Sequence, residues 1–491
     1  MEGTQLTPGA RIYLLGIAGT AMGSLAVALQ RMGYMVSGAD ANVYPPMSNV
    51  LAAAGIDYRE GFDAQALAAL SPDCVVVGNA ASRGNPEVEW LLDQRAVPFL
   101  SMPALIGQTL IGSRPSLVIA GTHGKTTTTA LAAHLLRQRG LQPGWMLGGV
   151  PLDLPGGCEP GDATSLFVCE GDEYDSAFFD KRSKFIHYRP RVLCLNNLEF
   201  DHADIFRDLP DIRRSFEHVC RLVPRSGAIL VNGDDPELAQ LPETPWCRRF
   251  SVGFGDGCDL RIAACAETPA GSRFELRWRE QVSTRIEWAL HGRFNAANAA
   301  MAALGTTLIQ GLDPAVHLPA PQDFASFRGV RRRQQVLAES DGVVLMEDFA
   351  HHPTAIGHTL EALRAARPKH RLLACFEPRS NTARSAVFQR EFAAALTLAD
   401  EVLLAPVQGG EARVSAAGRL DAARLALDLT SDGTPATACA SFEALRDEAL
   451  RCFDAARADA PLQAVLLTNG SFGGILPDLQ NRCTAPKARQ A

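Results

Sequence analysis

Gly121-Thr122-His123-Gly124-Lys125-Thr126-Thr127 joins an apolar run, Leu117 to Ala120, to a helical pattern that extends from Ala130 to Arg139. Glycines let a backbone turn its N–H groups inward, and a helix N-terminus adds positive potential, so such a turn can receive a phosphate. In that setting Lys125 reaches terminal phosphates and the Thr126 hydroxyl holds a magnesium ion. The common G-x-x-x-x-G-K-[ST] spacing requires glycine where this chain has Ile119, so the loop is a short variant, G-T-H-G-K-T. Strand, Gly-Lys-Thr and helix together point to ATP or GTP.

Other polar groups recur at the ends of apolar runs. Gly16-Ile17-Ala18-Gly19-Thr20-Ala21-Met22-Gly23 is close to a dinucleotide fingerprint with its last glycine one place late, and Asp40 stands where an acidic ribose-binding residue would. The turn either closes a βα unit or carries a nucleotide diphosphate. Glu170, Asp172, Glu173 and Asp175 follow the run Leu166 to Cys169. Glu170, nearest the strand, is the expected magnesium ligand, and the other three are expected to face water. His202, in Asn196-Asn197-Leu198-Glu199-Phe200-Asp201-His202-Ala203-Asp204, is a candidate for catalytic or metal duty. Asn295 and Asn298 share one helix face; capping explains one of them and adenine contact explains both. Arg331 to Arg333 are either surface charge or a clamp on a transferring phosphate. Glu347-Asp348-Phe349-Ala350-His351-His352-Pro353 again ends an apolar strand.

These residues need strands to carry them. Ile12 to Leu15, Cys74 to Val77, Leu117 to Ala120, Leu166 to Cys169, Val192 to Leu195, Ala228 to Val231, Leu372 to Phe376, Val402 to Leu404 and Ala464 to Leu467 all read as buried strands between helical patterns. That pattern predicts parallel sheets covered on both faces, as several α/β units in series. The 491-residue length suits two to four domains. Breakers at Gly112 to Pro115 and at Pro314, Pro319 and Pro321 suggest three: a Rossmann-like domain near 1–112, a P-loop ATPase-type parallel sheet near 113–326 with a β-meander at 256–290, and a second Rossmann-like domain near 327–491. The tail from Cys483 is small, polar and basic, and is expected to be loose. The net charge of −7 offers no footprint for nucleic acid. The twelve cysteines form no C-x-x-C pair, against a zinc or disulfide framework and for a reducing cytoplasm. No stretch approaches ~20 uninterrupted apolar residues, so no membrane partner is expected.

Taken in order, G-T-H-G-K-T-T-T, the strand-end glutamate, N-x-E-x-D-H, the N-x-x-N helix, the paired arginines and D-x-x-H-H-P resemble the Mur ligases, ATP-dependent amino-acid ligases of peptidoglycan synthesis. The resemblance covers nearly the whole chain. It implies that the first domain binds UDP-N-acetylmuramate through Gly16, Ala18, Gly19, Thr20, Ala21, Met22, Asp40 and Asn79. The middle domain would take ATP and Mg2+, with Gly121, Thr122, His123, Gly124, Lys125, Thr126 and Thr127 on the phosphates, Thr126, Glu170 and His202 on magnesium, and Asn295 and Asn298 on adenine. Arg333 and Asp348 would reach the nucleotide on closure of the third domain. The family's carbamylated lysine falls at Glu217 here and is not carried over.

Four segments resemble the branch of the family that takes a preformed peptide better than the alanine-adding branch: Asp40 to Ser48, Arg83 to Pro86, Asp172 to Asp175 with Phe179 to Phe185, and Glu377-Pro378-Arg379-Ser380-Asn381-Thr382. The implied reaction joins L-alanyl-γ-D-glutamyl-meso-diaminopimelate to UDP-N-acetylmuramate through an acyl phosphate, in peptidoglycan recycling, with UDP-N-acetylmuramate–L-alanine ligation as the alternative. Lys125, Glu170, His202, Arg333 and His352 are the expected catalytic set, with His202 or His352 accepting the amine proton. Arg379, Ser380 and Asn381 are the expected grip on peptide carboxylates. A monomer or weak homodimer is expected. A nicotinamide oxidoreductase resting on the Gly16 to Gly23 turn leaves Gly121 to Thr129 unexplained, and a nucleotide-switched binding protein predicts ATP binding that does not depend on any carboxylate or amine substrate.

Overall fold

The computed structural model describes residues 6–41, 43–44, 47–203, 205–340, 342–408, 418–457 and 459–484. Asn42, Pro45, Pro46 and Asp204, which belong to segments singled out above, and the tail beyond Thr484 lie outside the described residues.

Among the described residues three large sheets follow one another along the chain, with a two-stranded hairpin, Asp175–Ala177 and Asp180–Ser183, beside the second. The first has five parallel strands in spatial order Asp57–Glu60, Met35–Asp40, Arg11–Leu15, Cys74–Val77, Phe99–Ser101. The order reverses between Arg11–Leu15 and Cys74–Val77, so a crevice opens beyond their carboxyl ends, where doubly wound sheets bind ligands. Met35–Asp40 escapes the apolar-run criterion because Ser37 and Gly38 interrupt it. Gly38 is needed there: a Cβ would collide with the Leu14 carbonyl oxygen.

The central sheet has ten strands, in the order Gln281–Trp288, Gly271–Trp278, Leu260–Thr268, Arg248–Gly253, Ala228–Asn232, Val192–Leu195, Ser116–Ala120, Phe167–Gly171, Gly144–Met146, Cys158–Glu159. The expected meander is present, pairs antiparallel and extends this sheet at one edge. Its alternation of buried Phe274, Leu276 and Trp278 with more exposed neighbours marks a one-sided surface. In the third sheet the order is Gln335–Ser340, Val343–Asp348, Leu462–Leu467, Arg371–Phe376, Glu401–Leu404, Ala436–Ala438, parallel except for the first pair. Among the described residues no helix is long and apolar enough to cross a membrane.

The cores join these units unequally. One buried cluster runs from Leu25 and Leu51 of the first unit, through Leu105, Ile106 and Leu110, to Val118, Phe185 and Phe216 of the second. The helical turns Met102–Ile111 therefore pack both units together. Both clusters of the third unit hold only its own residues. Phe185 is fully buried in the shared cluster and meets Phe216 edge-on at 5.7 Å. Phe185→Ala is expected to cost about 3–5 kcal/mol by leaving a cavity there. A urea midpoint equal to wild type would show that this junction does not depend on that packing.

Candidate active site

Ser116–Ala120, Phe167–Gly171 and Val192–Leu195 are neighbours in the central sheet, and all three are parallel. Their carboxyl ends therefore bring the phosphate loop, the Glu170 segment and the Asn196–His202 segment to one edge. Helix Lys125–Gln138 starts at Gly124, whose φ is +78°. A Cβ at Gly124 would also meet the Asn298 side chain, so both the turn and the close approach call for glycine. No side chain caps this helix, which leaves its first N–H groups for a ligand. The loop is clamped from behind: Asn197 Oδ1 accepts the His123 N–H at 2.7 Å, and the Thr122 hydroxyl accepts the Glu199 N–H at 2.9 Å.

Lys125 is buried, and its Nζ donates to the Gly121 carbonyl and to Glu173 Oε2, each at 2.7 Å, with Asp172 3.8 Å away. Burial works against its charge, but Glu173, Asp172 and Glu170 around it hold the ammonium above the usual lysine value. Glu173 is 1% exposed, and Asp172 is held by Lys184 at 3.1 Å. The expectation that Asp172, Glu173 and Asp175 face water is thus overturned: Lys125 and Lys184 pay for the burial of the first two, and Asp175, 9% exposed, pairs with Lys181. Glu170 stands as expected at the strand end and accepts from the Thr126 hydroxyl at 2.9 Å and the Gly148 N–H at 2.7 Å. Burial, then Asp172, raises its carboxyl above the usual value.

His202 adopts a left-handed backbone, φ +54°, and lies 3.2 Å from Glu173 Oε1. Burial opposes its protonation, but Glu173 more than compensates and its pKa rises to about 9. His352 begins helix Pro353–Ala366, and its Nε2 faces the Phe200 carbonyl at 3.2 Å. Burial, then His123, lowers its pKa to about 4. The His123 and His352 rings lie 4.7 Å apart, on either side of Glu199.

The third unit touches the loop through Arg333, whose guanidinium lies 3.5 Å from Thr126 Oγ1. Asp348 does not face outward: its two oxygens accept the Gln334 and Ala350 N–H groups, each at 2.7 Å, and so shape the turn that carries Arg333. Arg332 is bound internally, to Glu347 at 2.7 Å and to the Thr468 and Gly470 carbonyls, while Arg331 is exposed. Neither asparagine caps the Arg293–Ile309 helix; Asn298 donates to Asn295 at 3.2 Å and accepts from Thr128, which ties the helix to the loop. Glu217 pairs only with Arg221, one turn along its own helix.

In the first unit, Gly16 has φ +89°, and Gly19 opens helix Thr20–Arg31 with no side-chain cap and no acidic residue in its first turn. Ala18, Gly19, Thr20, Ala21 and Asn79 reach the surface at the switch-point crevice, while Met22 packs beneath it. Asp40 accepts the Ala18 N–H at 2.9 Å and so helps hold the turn. Arg379 is exposed and lies against Gly470. Ser380 accepts the Ala383 N–H at 3.0 Å, and Asn381 accepts from Arg384 at 2.7 Å, so both shape the turn beside it. Two groups that sequence reasoning missed join the units: Thr354 donates to Glu199 at 2.6 Å and Thr382 to Asp201 at 2.7 Å. The available signal was that Glu199 and Asp201 both follow a buried strand.

Three family models match in series: the Mur ligase family catalytic domain at 11–114, the Mur ligase middle domain at 119–306 and the Mur ligase glutamate ligase domain at 332–472. The chain is 42% identical, over 80% of its length and 84% of the relative's, to an Escherichia coli protein named UDP-N-acetylmuramate–L-alanyl-γ-D-glutamyl-meso-2,6-diaminoheptandioate ligase. A UDP-N-acetylmuramate–L-alanine ligase of Chlorobium phaeobacteroides is 33% identical over 81% of this chain and 82% of its own. Among solved structures, a murein peptide ligase from Psychrobacter arcticus superposes with a TM-score of 0.70 at 32% identity, covering 98% of this chain and 100% of that one. The chain belongs to the Mur ligase family.

Proposed function

We propose that this ATP-dependent ligase joins a murein tripeptide, L-alanyl-γ-D-glutamyl-meso-diaminopimelate, to the lactyl carboxylate of UDP-N-acetylmuramate, as in recycling of cell-wall peptide. The observation that carries the reading is the meeting of Arg333, from the third unit, with Thr126 of the phosphate loop, beside Lys125, Glu170 and His202. The 42% identity to a relative named for the tripeptide reaction, against 33% to one named for alanine, supports the choice of acceptor. The first unit holds the UDP-sugar on the Gly16 to Met22 turn at the switch point, and the third unit presents the peptide near Arg379 to Asn381.

The donors fit a magnesium ion. Thr126 Oγ1 and the Glu170 carboxylate are hard oxygen ligands 2.9 Å apart, with the buried Glu173 nearby; His202, expected as a third ligand, is instead paired as a cation with Glu173 and offers the ion no lone pair. When bound, magnesium offsets charge on a transferring phosphoryl group. An entering triphosphate competes with Glu173 for the Lys125 ammonium, and Arg333 adds a second cation, so the carboxylate oxygen can displace ADP and leave an acyl phosphate. The peptide amine then attacks the acyl carbon and phosphate leaves. Of the two candidate proton acceptors, His202 is already held as imidazolium by Glu173. His352 is lowered to about 4 by burial and is too weak a base to hold that proton near neutral pH, so the amine proton is assigned to neither ring. Closure of the third unit over the loop keeps water from the acyl phosphate.

Phosphate release from ATP with UDP-N-acetylmuramate tests the acceptor directly: turnover is expected with the tripeptide and not with L-alanine, and the reverse result would place the chain in the alanine-adding branch. Lys125→Ala is expected to reduce turnover about 100-fold or more while UDP-sugar binding by calorimetry is unchanged; parallel loss of that binding would contradict the division of ligands between units. His202 is expected to titrate near pH 9 by NMR in the wild type and toward its ordinary ~6.5 in Glu173→Gln. Because the folded value is raised, the charged ring contributes stability that is complete below ~6.5 and lost as pH rises through about 9. An unmoved midpoint in Glu173→Gln would remove Glu173 as the cause.

A further inference from the structure

His123, Glu199 and His352 bring two imidazoles and a carboxylate together from two units, with donor atoms all within 4.8 Å of one another. His123 Nε2 and His352 Nδ1 each lie 3.5 Å from the same atom, Glu199 Oε2. Both nitrogens are buried and neither has a hydrogen-bond partner. The tautomer of His352 is set from its far side, where Nε2 faces the Phe200 carbonyl at 3.2 Å. A carbonyl only accepts, so Nε2 carries the hydrogen and Nδ1 of the neutral ring presents a bare lone pair. A lone pair aimed at a carboxylate oxygen is repulsive unless a cation stands between them.

The spacing suits such a cation. Tetrahedral ligands at about 2.1 Å from a metal are about 3.4 Å from each other, close to the 3.5 Å from each histidine nitrogen to Glu199 Oε2; the two nitrogens lie within 4.8 Å of one another, so the imidazoles close on an ion by a side-chain shift of under about 1 Å. An imidazole N–H given to a backbone carbonyl and a carboxylate held by a neighbouring hydroxyl are the outer contacts that ligands to a metal make. Here those are Phe200 for His352, and Thr354 for Glu199 at 2.6 Å. The ligand backbones are also fixed in advance, His123 by Asn197 and Glu199 by Thr122. We propose that His123, Glu199 and His352 form a binding site for a first-row divalent transition metal such as zinc, separate from the Thr126 and Glu170 oxygen donors.

Two nitrogens and one oxygen favour zinc and its neighbours over magnesium. The His123 and Glu199 side chains are 19% and 30% exposed, so the fourth position is open and the ion exchangeable. Because His123 lies in the phosphate loop and His352 opens a helix of the third unit, the ion ties that unit to the loop.

The test uses the full chain, stripped with chelator and kept in excess Mg2+, with Co2+ as the spectroscopic probe and Zn2+ as competitor. One Co2+ per chain is expected, with the visible absorption of a low-coordinate nitrogen–oxygen site, and Zn2+ displaces it. His123→Ala and His352→Ala are each expected to weaken uptake about 100-fold or more, while Glu170→Ala leaves it unchanged. His123→Gln and His352→Gln, which retain polar side chains, are expected to lose the ion as well, and native circular dichroism of either pair separates ligand loss from unfolding. Absence of uptake, uptake that Mg2+ abolishes, uptake retained in both folded histidine variants, or uptake lost in Glu170→Ala would each overturn the proposal.

Discussion

A buried lysine at the mouth of a phosphate loop constrains everything around it. Lys125 lies out of water, and an ammonium in that position is tolerated only among well-placed anions. Charges of alternating sign run from Lys184 through Asp172, Lys125 and Glu173 to His202, with contacts of 3.1, 3.8, 2.7 and 3.2 Å. No single element can supply that row. It needs the loop after Ser116–Ala120 between the segments that follow Phe167–Gly171 and Val192–Leu195, and the strand order of the central sheet provides this. The same row prepares the site for a polyphosphate. On the proposed reading an incoming phosphate takes over the cation that the carboxylates hold, and the lysine is positioned before the ligand arrives.

The parallel sheets, the meander and the motif-bearing strand ends were legible because long apolar runs and a Gly-Lys-Thr turn are local signals. Met35–Asp40 was not, since Gly38 earns its place by a non-local approach to Leu14. The charged residues were legible by type and not by role. In Asp172-Glu173-Tyr174-Asp175 nothing local separates a solvated charge run from a buried one; what decides is Lys184, brought back by the Asp175–Ala177 and Asp180–Ser183 hairpin. Likewise Asp348 reads as a strand-end ligand but is consumed by two backbone N–H groups, and of three adjacent arginines only Arg333 reaches the loop. Such partners are set by tertiary contact, which spacing along the chain does not encode.

How the units are joined bears on how the site works. The first and second share an apolar cluster, and separating them would expose Leu105, Ile106, Leu110 and Phe185 to water, at about 25 cal/mol for each Å² of apolar surface. That shared packing sets the position of the switch-point crevice of the first unit relative to the phosphate loop. The third unit meets them through the rings of Phe388 against Phe200 and His358 against Phe294, and through polar contacts: Thr354 with Glu199, Thr382 with Asp201, His352 with Phe200, and Arg328 with Asp153 at 2.6 Å. Those polar groups can be satisfied by water instead, and an interface of this mixed kind allows domain motion. Of the polar contacts, all but the last gather on the Glu199–Asp201 loop, which follows Val192–Leu195, the parallel neighbour of the strand that leads into the phosphate loop. The third unit is therefore held by the segment that also carries His202, and Thr122 and Asn197 bond the phosphate loop to that same segment.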